Sequence, residues 1–359
     1  MINFKNKDIA KKVISLVCVL GCLLGSISLS SCSMFSKDKK FTAEYFDFFD
    51  TYSAITIYTH KESEFERYKE IAEELLAKYH KLLDIYNEYD GINNLATVNR
   101  EAGVSWVEAD EELIEAVEFG IDIYYDTKGT TNIAMGATIA LWHDSFEEFA
   151  KTGSATIPDR DSIKAALKNS NIKYARVNSK RTKLYVSNPE ASINLGSIAK
   201  GFVADKLFEA LKSAGCQSFL IDLGGNIQSY GIKPDGTPWT GDIYNPTTQK
   251  SLTEKPLALR NLTISTSGSY QRYITVDNKD YGHIIDYNDG MPADRFASVS
   301  VIAVSGNSAM ADALSTALFI LPFNEGFQLI DKFDDFEAVW IMKDGSVEKT
   351  ENFDNYILD

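Results

Sequence analysis

Apolar positions recur along this chain in two rhythms, one of about 3.6 residues and one of two. Between residues 64 and 86, Phe65, Tyr68, Ile71, Leu75, Tyr79, Leu82 and Leu83 fall three or four apart, which predicts an amphipathic helix. The same rhythm predicts helices over residues 110–126, over 158–167 begun by Pro158, and over 308–319 capped by Ser308. Alternation predicts strands around Ile55 and Ile57, then over residues 104–107, 174–177, 183–186, 192–195, 238–243, 259–266 and 298–304. Residues 218–227 read as a buried strand ending in the turn Gly224-Gly225, and residues 338–345 as a hairpin. No repeat, low-complexity segment or linker-like stretch follows Lys40, so these elements make one domain of mixed α and β structure.

One junction stands out. The extended run Ala191-Ser192-Ile193-Asn194-Leu195 arrives at Gly196, and a helix leaves it with Ile198, Phe202, Leu207 and Leu211 on one side. Ser197 stands at the expected N-cap, which puts Lys200 in the first turn. Free N–H groups and an ammonium pointing into one volume suit a phosphate. The same octapeptide also fits an ordinary strand-to-helix junction with a solvated lysine. Two tyrosines, Tyr86 and Tyr89, precede Asp90-Gly91 and are placed either to stack on a planar ligand or to cover the preceding helix end. Gly129 and Gly136 bracket Thr130, Thr131 and Asn132, where glycine permits close backbone approach to a ligand.

The N-terminus changes the picture. Lys5, Lys7, Lys11 and Lys12 precede an apolar stretch at 13–24, and Leu29-Ser30-Ser31-Cys32 resembles the lipobox of bacterial lipoproteins. Residues 1–31 are therefore expected to be a signal peptide, Cys32 the lipidated residue, and 32–43 a tether ahead of a domain over 44–359. Lipidation implies a chain anchored to the extracytoplasmic face of the cell membrane rather than spanning it. Of four cysteines only Cys216 then remains for the domain, so no internal disulfide is expected and the core must supply the stability. The formal net charge is −15, and the leader's four lysines and Asp8 leave the rest near −18. Such a field excludes nucleic acid as a partner and means that an anionic substrate needs a local cation.

No zinc cluster, P-loop, nucleophile elbow or dinucleotide fingerprint is present. Within Ala311-Asp312-Ala313-Leu314-Ser315-Thr316-Ala317, Asp312 and Thr316 are four apart and share a helix face. A carboxylate with a hydroxyl offers the hard oxygen ligands that magnesium prefers. Thr316 bonding back to the Asp312 carbonyl, with Asp312 solvated, fits the same pattern.

Taken together, six stretches resemble the ApbE family, the FAD:protein FMN transferases of bacterial electron-transfer systems. They are the Asp50-Thr51 strand, residues 89–99, 129–142, 194–205, 266–286 and 298–321. The resemblance implies an α+β fold akin to the tunnelling fold, with a mostly antiparallel sheet packed with helices. It implies that Lys200 and its turn hold FAD, and that Phe49, Tyr89, Thr130, Thr131, Asn132, Asn194 and Ile285 line the flavin nucleotide. The Ser197 carbonyl, Asp312 and Thr316 would bind Mg²⁺, and His283 would be the catalytic base. Departures are Asn132 and Asn194, where members often carry Asp, and Tyr287, where they often carry Pro.

The activity implied is attack by a threonine or serine hydroxyl of an exported acceptor flavoprotein on the FMN-side phosphorus of FAD, with AMP leaving. Magnesium and Lys200 suit the charge stabilisation such a transfer needs, and histidine suits proton acceptance near neutral pH. The alternatives are an FAD pyrophosphatase giving FMN and AMP, and a non-catalytic flavin-binding lipoprotein.

Overall fold

The computed structural model describes residues 38–270 and 272–358; the leader and Cys32 lie outside them. At the centre, eight antiparallel strands lie side by side in chain order. They are β1 (Lys39–Tyr45), β2 (Ser53–Thr59), β3 (Phe219–Leu223), β4 (Asn226–Tyr230), β5 (Leu262–Gly268), β6 (Ser298–Val304), β7 (Phe336–Ile341) and β8 (Val347–Lys349). The helices are α1 (Glu62–Leu83), α2 (Leu95–Arg100), α3 (Glu111–Asp126), α4 (Gly136–Thr152), α5 (Arg160–Lys168), α6 (Ala199–Ser213), α7 (Ser308–Ile320) and α8 (Phe323–Ile330).

Helices α1, α6 and α7 pack in a row on one face of the sheet. Trp239, Ile243, Leu257, Leu259 and Phe353 cover the other face. Alternation along β5 serves both sides, with Leu262 and Ile264 in the second cluster and Ser267 reaching Ser315 of α7 at 2.9 Å. With both faces covered, all of β6 but Val304 is buried. Helix α7 is apolar almost all round, and its partly exposed positions are Met310 and Thr316.

Four expectations need correction. Residues 39–43, read as tether, belong to β1, which pairs with β2 from Lys39 opposite Thr59 to Tyr45 opposite Ser53. Residues 192–195 form no strand; the segment docks on α2, the start of α4 and the helical turn over Ile133–Met135. There Gly136 N donates to Ser192 O at 3.1 Å, Asn194 N donates to Ile133 O at 2.8 Å, and the Asn99 side chain bonds both backbone groups of Ile193. A Cβ on Gly136 would lie 2.6 Å from the Ser192 carbonyl oxygen, so this docking requires glycine. Ser197 does not cap α6, because Ile198 occupies that position and no side chain bonds there. Ser308 does not cap α7 either; it is the first helical residue and its hydroxyl is buried without a partner.

Helices α2, α4 and α8 were not legible in the apolar rhythm. The buried positions of α4 are Gly136, Thr138, Trp142 and Ser145, so Trp142 is the one large apolar side chain it buries fully. Gly153, at φ 74°, ends that helix by donating to Phe149 O.

Helices α6 and α7 touch at Gly201, where an added Cβ would fall 2.3 Å from Ser308 O and 2.8 Å from Ala309 Cα. Both are backbone atoms, so Gly201→Ala must push the helices apart and should cost about 1–3 kcal/mol or more. Urea unfolding checks this, and an unchanged midpoint would contradict the packing described.

Candidate active site

The site is built where the α6 N-terminus meets the middle of α7. Gly201 N donates to Asp312 Oδ2 at 2.9 Å, tying the first turn of α6 to α7. Burial pushes the Asp312 carboxyl above its ordinary range, while nearby Lys200, the Gly201 N–H and the Asn226 amide pull it back. Asp312 is thus a buried carboxylate with one oxygen engaged and a lysine within electrostatic reach. Thr316, one turn on, contacts Ser267 Oγ at 3.3 Å. The hydroxyl that bonds back to the Asp312 carbonyl is that of Ser315, at 2.9 Å, so Thr316 is not spent on its own helix.

His283 approaches from another segment. Tyr281 stacks on Trp142, with ring centroids 5.7 Å apart, and Trp142 Nε1 donates to Gly290 O at 2.8 Å. Ile285 is buried beside Met135, Trp142 and Ile163. Between these anchors the His283 ring is exposed, and its Nδ1 lies 3.2 Å from the Arg272 carbonyl. A carbonyl only accepts, so Nδ1 carries the proton of the neutral ring and the Nε2 lone pair is left free. Desolvation, then the Arg272 and Lys200 cations, push its pKa below the ordinary histidine value, to about 4, against the Arg272 carbonyl. Lys200 thus lies within electrostatic reach of both His283 and Asp312.

Thr131 Oγ1 donates to Ala313 O at 2.9 Å, which brings the loop between Gly129 and Gly136 against α7 next to Asp312. Asn194 N meets Ile133 O in the same region. Phe49 and Tyr89 belong to a different wall and make no contact with Lys200 or Asp312 among the described residues. Phe49 lies edge-on to His80 at 5.7 Å, in a turn where Phe49 and Asp50 take φ of 56° and 50°. Two successive bulky or charged residues in the left-handed region are strained, a feature common at ligand sites. Tyr89 donates from its hydroxyl to Asp84 at 2.8 Å. Tyr86 instead stacks on His143, centroids 4.3 Å apart, within electrostatic reach of Arg272 and Asp50. These contacts connect the wall to the His283 segment.

The donor set suits a hard cation. Among the described residues no three His, Cys, Asp or Glu side chains converge, which leaves no zinc-like centre. A buried carboxylate beside a hydroxyl matches magnesium, which takes few protein ligands when phosphate oxygens complete its shell.

A family model described as the ApbE family matches residues 49–340. The chain belongs to the ApbE family. A Treponema pallidum protein named FAD:protein FMN transferase is 32% identical over 270 residues, covering 70% of this chain and 72% of that one. A Klebsiella pneumoniae protein of the same name is 27% identical over 286 residues, covering 78% and 80%. The crystal structure of the ApbE protein from Thermotoga maritima superposes with a TM-score of 0.79 at 24% identity, over 89% of this chain and 100% of that one. The flavin transferase ApbE from Vibrio cholerae gives 0.73 at 21% identity, over 89% and 100%. These two share the fold of mixed helix and antiparallel sheet.

Of the departures noted in the sequence, Asn132 has a local reason and Asn194 has none. Asn132 Oδ1 accepts from Ala134 N at 2.9 Å while its Nδ2 donates to Ser170 O at 2.8 Å, and a carboxylate would lack that donor. Asn194 Oδ1 accepts from Gly196 N at 2.8 Å, a bond that Asp would make equally well. Tyr287 is partly buried against both apolar clusters beneath the His283 segment. Arg272, His143 and Ser267 were missed by sequence reasoning. Each acts through a neighbour that folding supplies; Ser267 and Arg272 lie within the ApbE-like stretch 266–286, and His143 directly follows the stretch ending at Trp142.

Proposed function

We propose that this ApbE-family chain is an FAD:protein FMN transferase that uses Mg²⁺. What supports the reading is Lys200 within electrostatic reach of both buried Asp312 and His283, whose Nε2 is free, in a chain whose relatives carry that name. Lys200 would hold the FAD diphosphate; the expected free N–H groups beside it are spent, those of Ile198 and Ala199 on Leu195 O and that of Gly201 on Asp312. Asp312, Thr316 and the Ser197 carbonyl would hold the metal, which when bound would neutralise charge building on the phosphates. The acceptor hydroxyl oxygen bonds to the FMN-side phosphorus as the bond from that phosphorus to the bridging oxygen breaks. AMP leaves with the bridging oxygen, and the hydroxyl proton passes to His283 Nε2. Thr130, Thr131, Asn132, Asn194, Ile285, Phe49 and Tyr89 would shape the flavin nucleotide pocket.

Exposure of His283 to solvent also admits water as the nucleophile, which makes FAD hydrolysis the second reading. A pure flavin carrier has little use for a buried carboxylate facing a diphosphate. AMP release, measured with and without a serine- or threonine-bearing acceptor, separates the two. Release that requires the acceptor supports transfer, and release indifferent to it favours hydrolysis.

The depressed His283 pKa fixes a sign. Its basic form is neutral and persists as pH falls until the free-enzyme pKa, about 4, is approached. The kcat/KM profile, which reports free-enzyme groups, should stay level from about pH 7.5 to 5.5 and fall only below about 5. An acid limb with its midpoint near 6.5, as for an unperturbed histidine, would contradict this.

The acceptor would be an exported flavoprotein of an electron-transfer system, met at the membrane through a lipid on Cys32. No helix among the described residues is long and apolar enough to cross a membrane. Cys32→Ala should release the protein or leave it uncleaved with the domain active. Fractionation that finds the variant processed and still membrane-bound would rule the anchor out.

A further inference from the structure

Helix α7 carries Asp312 and Thr316 yet supplies no cap of its own. The Asn307 amide donates backward to Val304 O, and no side chain of the helix's own segment accepts from its first N–H groups. They are satisfied across the structure by Asp205 of α6. One Asp205 oxygen accepts from Ser308 N and the other from Ala309 N, each at 2.9 Å. Gly201 N donates to Asp312 at 2.9 Å. Gly201 and Asp205 are one turn apart on α6, as Ser308 and Asp312 are on α7, so the two helices are joined by two rungs one turn apart. Between the rungs the backbones touch at Gly201.

The sheet below repeats the arrangement. Asn226 and Gln228 are two apart on β4 and share a face. The Asn226 amide lies near enough to Asp312 to favour its ionised form, and the Gln228 amide, which donates to Ala204 O at 3.4 Å, does the same for Asp205. The two carboxylates differ in what lies beyond them. Asp312 has Lys200 in reach and Thr316 a turn away; the charged side chain that bears on Asp205 is Glu209. Asp205 is thus unsuited to hold a metal or phosphate itself, while its position governs where α7 sits.

We propose that Asp205 is a positioning residue for Asp312, setting the height and rotation of α7 against the Lys200 turn so that the Asp312 carboxylate meets the metal. The inference rests on the magnesium reading above. Burying a carboxylate is costly when a serine or asparagine would cap a helix adequately. What the carboxylate adds is a two-oxygen grip on consecutive N–H groups, which fixes rotation as well as translation.

The test compares Asp205→Ala, Asp205→Asn, Asp312→Ala and Ile320→Val, the last loosening the far end of α7 without touching either rung. Mg²⁺ is titrated in the presence of FAD, and two readouts are followed, the rise in melting temperature and the release of AMP. Asp205→Ala should raise the Mg²⁺ midpoint of both about tenfold, in the range seen when an outer partner of a metal ligand is lost. Asp205→Asn, which keeps one acceptor, should recover part of that. Ile320→Val should lower the melting temperature with its midpoint unmoved. If Asp312→Ala shifts the midpoint and Asp205→Ala does not, Asp205 is only a structural cap and the proposal is overturned. If Asp312→Ala leaves the midpoint in place, the magnesium reading falls, and this proposal with it.

Discussion

His283→Ala is expected to slow FMN transfer by ~10²-fold or more while FAD affinity changes little. The ring is held by its segment rather than by the nucleotide pocket. Tyr281 and Ile285 on either side anchor it to α4, and the Arg272 carbonyl accepts from its Nδ1–H. Removing an exposed ring from between two anchors leaves the fold in place, so lost activity reports lost chemistry. Asparagine or glutamine at 283 should rescue little, because neither accepts a proton near neutral pH. Single-turnover AMP release with acceptor present measures the step directly. Turnover near that of the parent protein would make His283 a structural residue that ties its segment to Arg272.

Asp312→Ala should cost most of the activity and be partly rescued by raised Mg²⁺. It removes the one charged side chain among the proposed metal ligands, and magnesium is typically held by one or two carboxylates plus substrate phosphates. The alanine also releases the Gly201 N–H, so Asp312→Asn, which keeps an acceptor oxygen, isolates the charge. Burial already disfavours the ionised carboxyl, with only the Gly201 N–H, the Asn226 amide and nearby Lys200 to offset it. The asparagine variant should therefore melt no lower than the parent while losing nearly as much activity as the alanine. Thr316→Val, which deletes a neutral ligand and keeps the β-branched shape, should lose less. Identical magnesium curves for parent, Asp312→Ala and Thr316→Val would show that this pair does not meet the metal.

How much of this was legible in advance depended on what each residue's role rests upon. Helices α1, α3 and α7 were readable because their buried faces are apolar and regularly spaced. Strand β6 was readable to the residue, its seven positions followed by the turn Ser305-Gly306-Asn307. The Lys200 turn and the Asp312–Thr316 spacing were legible because local sequence alone puts those groups on one helix end and one helix face. Helix α4 was hidden because Thr138 and Ser145 help to fill its buried stripe. Residues 192–195 alternate like a strand, yet their hydrogen bonds go to Asn99 of α2, the start of α4 and the helical turn over Ile133–Met135 rather than to a ladder. The caps of α6 and α7 were misassigned for a related reason: serine is a good cap where the chain is local, and here the cap of α7 comes from Asp205, over a hundred residues earlier. Arg272 lies in the ApbE-like stretch 266–286, but its part was not legible because its carbonyl meets His283 only in the folded chain.

The most direct test is the intact mass of an acceptor protein after incubation with the enzyme, FAD and Mg²⁺. Transfer predicts a gain equal to one FMN less one water, located by fragmentation on a single threonine or serine, with one AMP released for each acceptor modified. An unmodified acceptor beside free FMN and AMP would contradict the account and leave hydrolysis in its place.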